Sequence, residues 1–191
     1  HYMKNDDPIA KGEMMLMDFG IRWMTMHADI TRSFPVSGKF NPMQKMLYEI
    51  VLKGQLAVEK AARAGVTIEE LNDVCWAVIN DGLEKKFVGA GGKYKLRYKD
   101  RPHGVSHLMG EQEHDGDPFR NYLKQPMKSG WMISNEPGLY GKFKIRLDGK
   151  NYDETIGIRI EDNLVMTQKG CMNLSSIIPK SVREIEKLMM G

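Results

Sequence analysis

Between Met14 and Phe34 the sequence MMLMDFGIRWMTMHADITRSF carries two apolar runs rich in Met, Ile, Thr, Trp and Phe. Such runs favour extended chain, and the pair is expected to fold back as a β-hairpin with its turn near Trp23 and Met24. That centre places Asp18 opposite Asp29, where facing Cβ atoms lie roughly 5 Å apart. Helical spacing then takes over. Met46, Leu47, Ile50, Val51, Val58 and Ala61 recur at helical intervals behind Asn41-Pro42, a cap followed by proline at the first position, and Gly65 follows as a terminator. Thr67 and Glu70 form a capping-box pattern for a second helix, with a stripe of Ile68, Leu71, Val74, Cys75, Val78, Ile79 and Leu83. Phe87 to Arg101, rich in Gly and Lys, is expected to be loop. WMISNEPGLY reads as a short strand ending at Glu136, with a turn at Pro137-Gly138. From Glu154 to Thr167 the pattern alternates strictly. Ile156, Ile158 and Ile160 share one face of that strand, and Gly157, Arg159 and Glu161 share the other. A short amphipathic helix, SVREIEKLMM, covers the sheet. These elements predict one α+β domain over residues 1–191.

A chain of 191 residues can bury a core of its own, and 41% hydrophobic with 28% charged residues is ordinary for a globular protein. The net charge of +3 carries no basic stripe for nucleic acid; the densest run, Lys93 to Arg101, fits a solvated loop. No stretch approaches the ~20 apolar residues of a membrane span, and no signal peptide is visible. Two cysteines cannot build a disulfide framework and imply reduced thiols in a cytoplasmic setting. The fifteen methionines sit mostly at apolar-periodic positions and read as core filling.

An aspartate inside an apolar strand is expensive unless it is partnered. Two facing carboxylates also repel unless a cation or a proton lies between them. His103, His107 and His114 put three of the five histidines within one short segment that also holds Glu and Asp. Asp18, Asp29, Glu136 and Glu161 with one of these imidazoles suit two divalent cations, which hard oxygen donors and a single His select as Mn²⁺, Zn²⁺ or Co²⁺. Such a pair acidifies water for hydrolysis.

The segments DFG with Asp18, ADITRSFPVSGKF with Asp29, HGVSHLMG with His107, NEPGLY with Glu136 and GIRIED with Glu161 resemble the catalytic domain of the pita-bread metallopeptidases. The closest likeness is to the Xaa-Pro aminopeptidase and prolidase branch. The resemblance implies a curved antiparallel sheet with helices on its outer face. It also implies two metal ions, most readily Mn²⁺, with Asp18 on one, His107 and Glu136 on the other, and Asp29 and Glu161 bridging. Glu136 would be the general base. His103 and His114 would contact the substrate and the reacting centre, Arg159 would lie near the site, and His1 would match a further substrate-pocket histidine. Peptides with proline in the second position would be the substrates, with prolidase action on Xaa-Pro dipeptides as the alternative. A non-catalytic binding module on the same fold would have lost ligands, and all five are present. Glu111, Gln112 and Glu113, Met26 and Asn135 depart from the family pattern. The family's domain also has helices and strands upstream of the position of His1. The chain is therefore expected to lack an N-terminal part, to expose Met and Trp on the hairpin's far side, and to pair with that part or as a homodimer.

Overall fold

The computed structural model describes residues 6, 8–97 and 102–191, so His1 and the end of the Lys93–Arg101 run lie outside the described residues. The hairpin forms as β1 (Met14–Trp23) and β2 (Met26–Pro35). Its register differs from the sequence reading. The turn falls at Met24-Thr25, with Met24 in the left-handed region (φ 54°). Asp18 therefore faces Thr31, and Asp29 faces Gly20. The two aspartates still share a face, because the offset between expected and observed partners is two residues, a whole period of the strand. They meet diagonally rather than directly.

Two helices follow, α1 (Pro42–Ala61) and α2 (Ile68–Gly82). Both open with complete capping boxes, Asn41 with Gln44 and Thr67 with Glu70, which satisfy donors orphaned at each N-terminus. The buried face of α2 holds Ile68, Leu71, Asn72, Cys75, Trp76 and Ile79, whereas Val74 is exposed. A π-helical turn (Leu83–Val88) runs on from α2 into the Phe87–Arg101 stretch expected as loop, which also contains β3 (Lys93–Leu96), paired with β6 (Gly138–Leu147). Phe87 drops into the core edge-on to Phe143, with centroids 5.7 Å apart.

The remaining strands are β4 (Leu108–Met109), β5 (Met132–Asn135), β7 (Lys150–Arg159), β8 (Asp162–Met166) and β9 (Cys171–Asn173), and α3 (Val182–Met189) closes the chain. Gly138 belongs to β6 and not to a turn. Among the described residues all pairings are antiparallel, in three sheets: β1-β2, β3-β6-β7 and β4-β5-β8-β9. Ile156, Ile158 and Ile160 are buried as their alternation requires. Methionines divide: Met43, Met109, Met127, Met132 and Met166 fill the core, while Met17, Met24 and Met26 stand on the exposed hairpin beside Phe19, Ile21 and Trp23. No helix among the described residues is long and apolar enough to cross a membrane.

One buried polar network ties β2 to β8. The Arg32 guanidinium donates to Asp162 Oδ1 (2.7 Å), to the carbonyls of Thr31 and Glu161, and to Pro179 O (2.9 Å). Asp162 Oδ2 accepts from Lys180 Nζ (2.7 Å), Gln55 Nε2 (2.9 Å) and Asn173 Nδ2 (2.9 Å). Burial opposes ionisation of Asp162, but the Lys180 hydrogen bond and the Arg32 charge prevail and hold its carboxyl below the usual range. Removing one partner of such a pair strands the other. Asp162→Ala is expected to destabilise the protein by about 3–5 kcal/mol in denaturant unfolding, and Arg32→Met with Asp162→Leu by much less. Equal losses for the two variants would contradict that account.

Candidate metal centre

Thr31 and Asp29 project from the same face of β2, and the chain crosses from β7 to β8 through Ile160 and Glu161 directly beside them. The Glu161 N–H donates to Thr31 O (3.0 Å). Thr31 Oγ1 donates to Glu161 Oε2 (2.6 Å) and accepts from Arg159 Nε (3.1 Å). Asn163 fixes Asp29 from the other side. Its Oδ1 accepts from the Asp29 N–H (3.2 Å), and its Nδ2 donates to Asp29 O (2.6 Å), so one carboxamide takes the place of a neighbouring strand. The third arm comes from the histidine segment. Ser134 Oγ accepts from the His107 N–H (2.9 Å) and donates to Glu136 Oε1 (3.2 Å).

This scaffold brings Asp29, His107 and Glu161 together, each with a ligand atom within 4.8 Å of the others. Glu136 Oε1 stands 3.3 Å from His107 Nε2, and Asp29 Oδ2 stands 3.8 Å from it. His107 Nδ1 faces Leu108 O (3.2 Å), which can only accept; with the proton on Nδ1, Nε2 would present its lone pair to those carboxylates. Burial and the neighbouring His114 push the imidazole pKa down to about 4, so it is neutral near pH 7. A lone pair aimed at carboxylate oxygens needs a cation or a proton between them. Glu161 Oε1 adds to the case: it is buried and has no hydrogen-bond partner. The donor set fits divalent metal.

The electrostatics agree. Burial, with the Asp18 and Glu113 charges, raises Asp29 to about 7. Burial raises Glu136 to about 7, with Arg159 and Ser134 opposing. Burial and the charges of Glu136 and Asp29 raise Glu161 to about 9. Asp18 differs from the buried trio in exposure: it is exposed and ion-paired with Arg159 Nη2, while its side chain also reaches Asp29. Its charge still acts on Asp29 and Glu136.

His103 and Arg159 meet through a residue that sequence reasoning missed. Tyr140 OH lies 3.0 Å from His103 Nε2 and accepts from Arg159 Nη1 (3.2 Å). His103 Nδ1 lies 2.8 Å from Gly104 O and 3.9 Å from Glu136 Oε2. His114 is exposed, packed edge-on against His107 with centroids 4.2 Å apart, and its Nε2 is 3.8 Å from Glu113. A cleft of about 240 Å³ opens along the hairpin beside Asp18, Gly20, Arg22, His27, Asp29 and Glu113. Gly20 floors it for a steric reason: a Cβ there would lie 1.8 Å from Ala28 O.

Residues 1–168 match the profile of metallopeptidase family M24. The chain is 34% identical to the Xaa-Pro aminopeptidase of Haemophilus influenzae and covers 99% of itself and 45% of that protein. It is 34% identical to the Xaa-Pro aminopeptidase of Escherichia coli, covering all of itself and 44% of the relative. To the mitochondrial intermediate cleaving peptidase 55 of Arabidopsis thaliana it is 32% identical, covering 99% and 37%. The chain thus spans less than half the length of these curated relatives. Among solved structures, a putative aminopeptidase P from Bacillus anthracis superposes with a TM-score of 0.81 at 33% identity, covering the whole chain and 42% of that structure. Escherichia coli aminopeptidase P gives 0.82 at 30%, covering the whole chain and 44%. The α+β pita-bread fold expected from the sequence is the fold of these structures.

Proposed function

The chain belongs to metallopeptidase family M24, and on that premise we propose that it carries the catalytic site of a metal-dependent exopeptidase that cleaves between an N-terminal residue and a following proline. The observation that carries this reading is the convergence of Asp29, His107 and Glu161 on one point, with Glu136 against His107. Asp18, Asp29, His107, Glu136 and Glu161 would hold two divalent ions, Mn²⁺ first and Zn²⁺ or Co²⁺ next. Bound there, the ions supply Lewis acidity to the scissile carbonyl and to the attacking water. The protein's own part is to place and move protons. Glu136 takes the proton of the attacking water and passes it to the leaving proline nitrogen. His103, His114 and Arg159 contact the peptide around the bond that breaks, with Tyr140 fixing the first and last of these.

The two free thiols, Cys75 and Cys171, fit a cytoplasmic setting. Residues 1–191 are read as one catalytic domain. The hairpin face bearing Phe19 (59% exposed), Ile21 (68%) and Trp23 (72%) is where further polypeptide, or a second copy in a homodimer, would pack. Assay of Xaa-Pro dipeptides beside longer Xaa-Pro peptides with Mn²⁺ supplied tests the reading. Release of the first residue from the longer peptides supports it, cleavage of dipeptides alone points to a prolidase, and no cleavage of either removes it.

A further inference from the structure

A second cavity, of about 370 Å³, opens on the sheet face that carries Tyr140 and Arg159. Lys95, Tyr140, Lys142, Thr155 and Gly157 line it. Tyr140 joins this groove to the metal centre, because its hydroxyl contacts both His103 and Arg159. Gly157 faces Tyr140 across the β6-β7 ladder and leaves room for its ring; a Cβ there would crowd the Tyr140 ring at 3.3 Å.

The far end of the groove is positively charged in a way that folding does not explain. Lys95 faces Lys142 directly, and Lys93 faces Lys144 directly. Like charges directly opposed on neighbouring strands are destabilising. Lysines on β3 suit an edge strand, but β6 is the central strand of its sheet, where no edge needs protection. Asp153 is the acid that faces this row, and it sits closer to Lys144 (2.6 Å) than to Lys142 (3.5 Å). Lys95 has no ion pair among the described residues. Positive charge is thus gathered in a groove that Tyr140, the residue in contact with His103 and Arg159, also lines. An extended peptide advances ~3.3 Å per residue, so the two-residue step from Tyr140 to Lys142 corresponds to about 7 Å.

We propose that Lys95 and Lys142 form a subsite for the C-terminal carboxylate of a peptide extending one or two residues beyond the proline. The inference rests on the Xaa-Pro reading of the centre and narrows it to short oligopeptides rather than dipeptides.

The test compares Xaa-Pro-Ala as free acid and as C-terminal amide, with the full chain supplied with Mn²⁺, in the unsubstituted protein and in Lys95→Gln/Lys142→Gln. A parallel binding measurement by calorimetry uses the same acid and amide pair with a reduced, uncleavable scissile bond. Ion pairs at exposed side chains support an acid-over-amide preference of about fivefold in kcat/KM, falling towards one in the double variant. Neutralising two opposed lysines relieves repulsion, so the variant is expected to fold, and a thermal melt verifies it. Asp153→Asn, which removes the competing acid, is expected to increase the preference. Equal handling of acid and amide by the unsubstituted protein would overturn the subsite, as would a preference that survives the double substitution. Amidated Xaa-Pro-Glu favoured over the free acid would also overturn it, by assigning the lysines to an acidic side chain. If no Xaa-Pro peptide is cleaved, the parent reading fails, while the uncleavable pair still decides the carboxylate subsite.

Discussion

Glu136→Gln is expected to lower the turnover of an Xaa-Pro peptide by about a hundred- to ten-thousand-fold, the range that a positioned general base contributes. The substitution keeps the size of the side chain and one oxygen, so the donation from Ser134 Oγ at 3.2 Å and the packing against His107 survive. What it removes is the ability to take a proton. Burial raises the Glu136 carboxyl to about 7, so even without metal it is poised to gain and lose a proton near neutrality. A loss of metal would also lower turnover, so metal content must be measured on the same sample. A variant that retains its ions and hydrolyses at a near-normal rate would exclude Glu136 as the base. Ser134→Ala makes a useful companion: it removes a hydroxyl that orients Glu136 and opposes its raised pKa but leaves the carboxyl in place, and its effect on kcat should be smaller.

The positions of this centre were readable because they sit where apolar periodicity makes a carboxylate anomalous. Asp29 lies inside a strand, and Glu161 follows the alternation of Ile156, Ile158 and Ile160. Register was less legible. Side-chain period fixes which face a residue occupies but not which partner it meets, and with Met24 left-handed the turn lies one residue further on, which shifts each partner by two. The strand Lys93–Leu96 was hidden by its Lys and Gly content, and it exists because β6 offers it a partner. Val74 looked like part of the stripe of α2, but the helix turns Trp76 inward instead. The polar residues that hold the ligands were the hardest to see. Thr31 could have been found, since it lies two residues from Asp29 on the same face. Asn163, Ser134 and Tyr140 carry no pattern at all, because their roles come from strands distant in sequence.

Without metal, the folded protein should lose stability as pH rises from about 6.5 to 9, and added divalent cation should reverse the loss. The sign follows from the carboxyls. Asp29 and Glu136 at about 7, and Glu161 at about 9, lie above their ordinary values of 3.8, 4.5 and 4.5. The folded state therefore holds protons that the unfolded chain has already released. Their stabilising effect is complete below about pH 4, where both states are protonated, and it disappears as pH climbs through the folded values. His107 acts in the opposite sense. Depressed from 6.5 to about 4, it makes stability rise with pH across that interval and adds nothing above it. Between pH 6.5 and about 8, below the range where the raised thiols of Cys75 and Cys171 begin to act in the same sense, the loss comes from the carboxyls. Each retained proton contributes a slope of about 1.4 kcal/mol per pH unit there. Cations that replace those protons bind more tightly as pH rises, so the melting-temperature difference between Mn²⁺-loaded and metal-free protein should widen from pH 6.5 to 8.5. A metal-free protein whose melting temperature holds level or rises across that window would mean that Asp29, Glu136 and Glu161 do not share one dry, mutually repelling site.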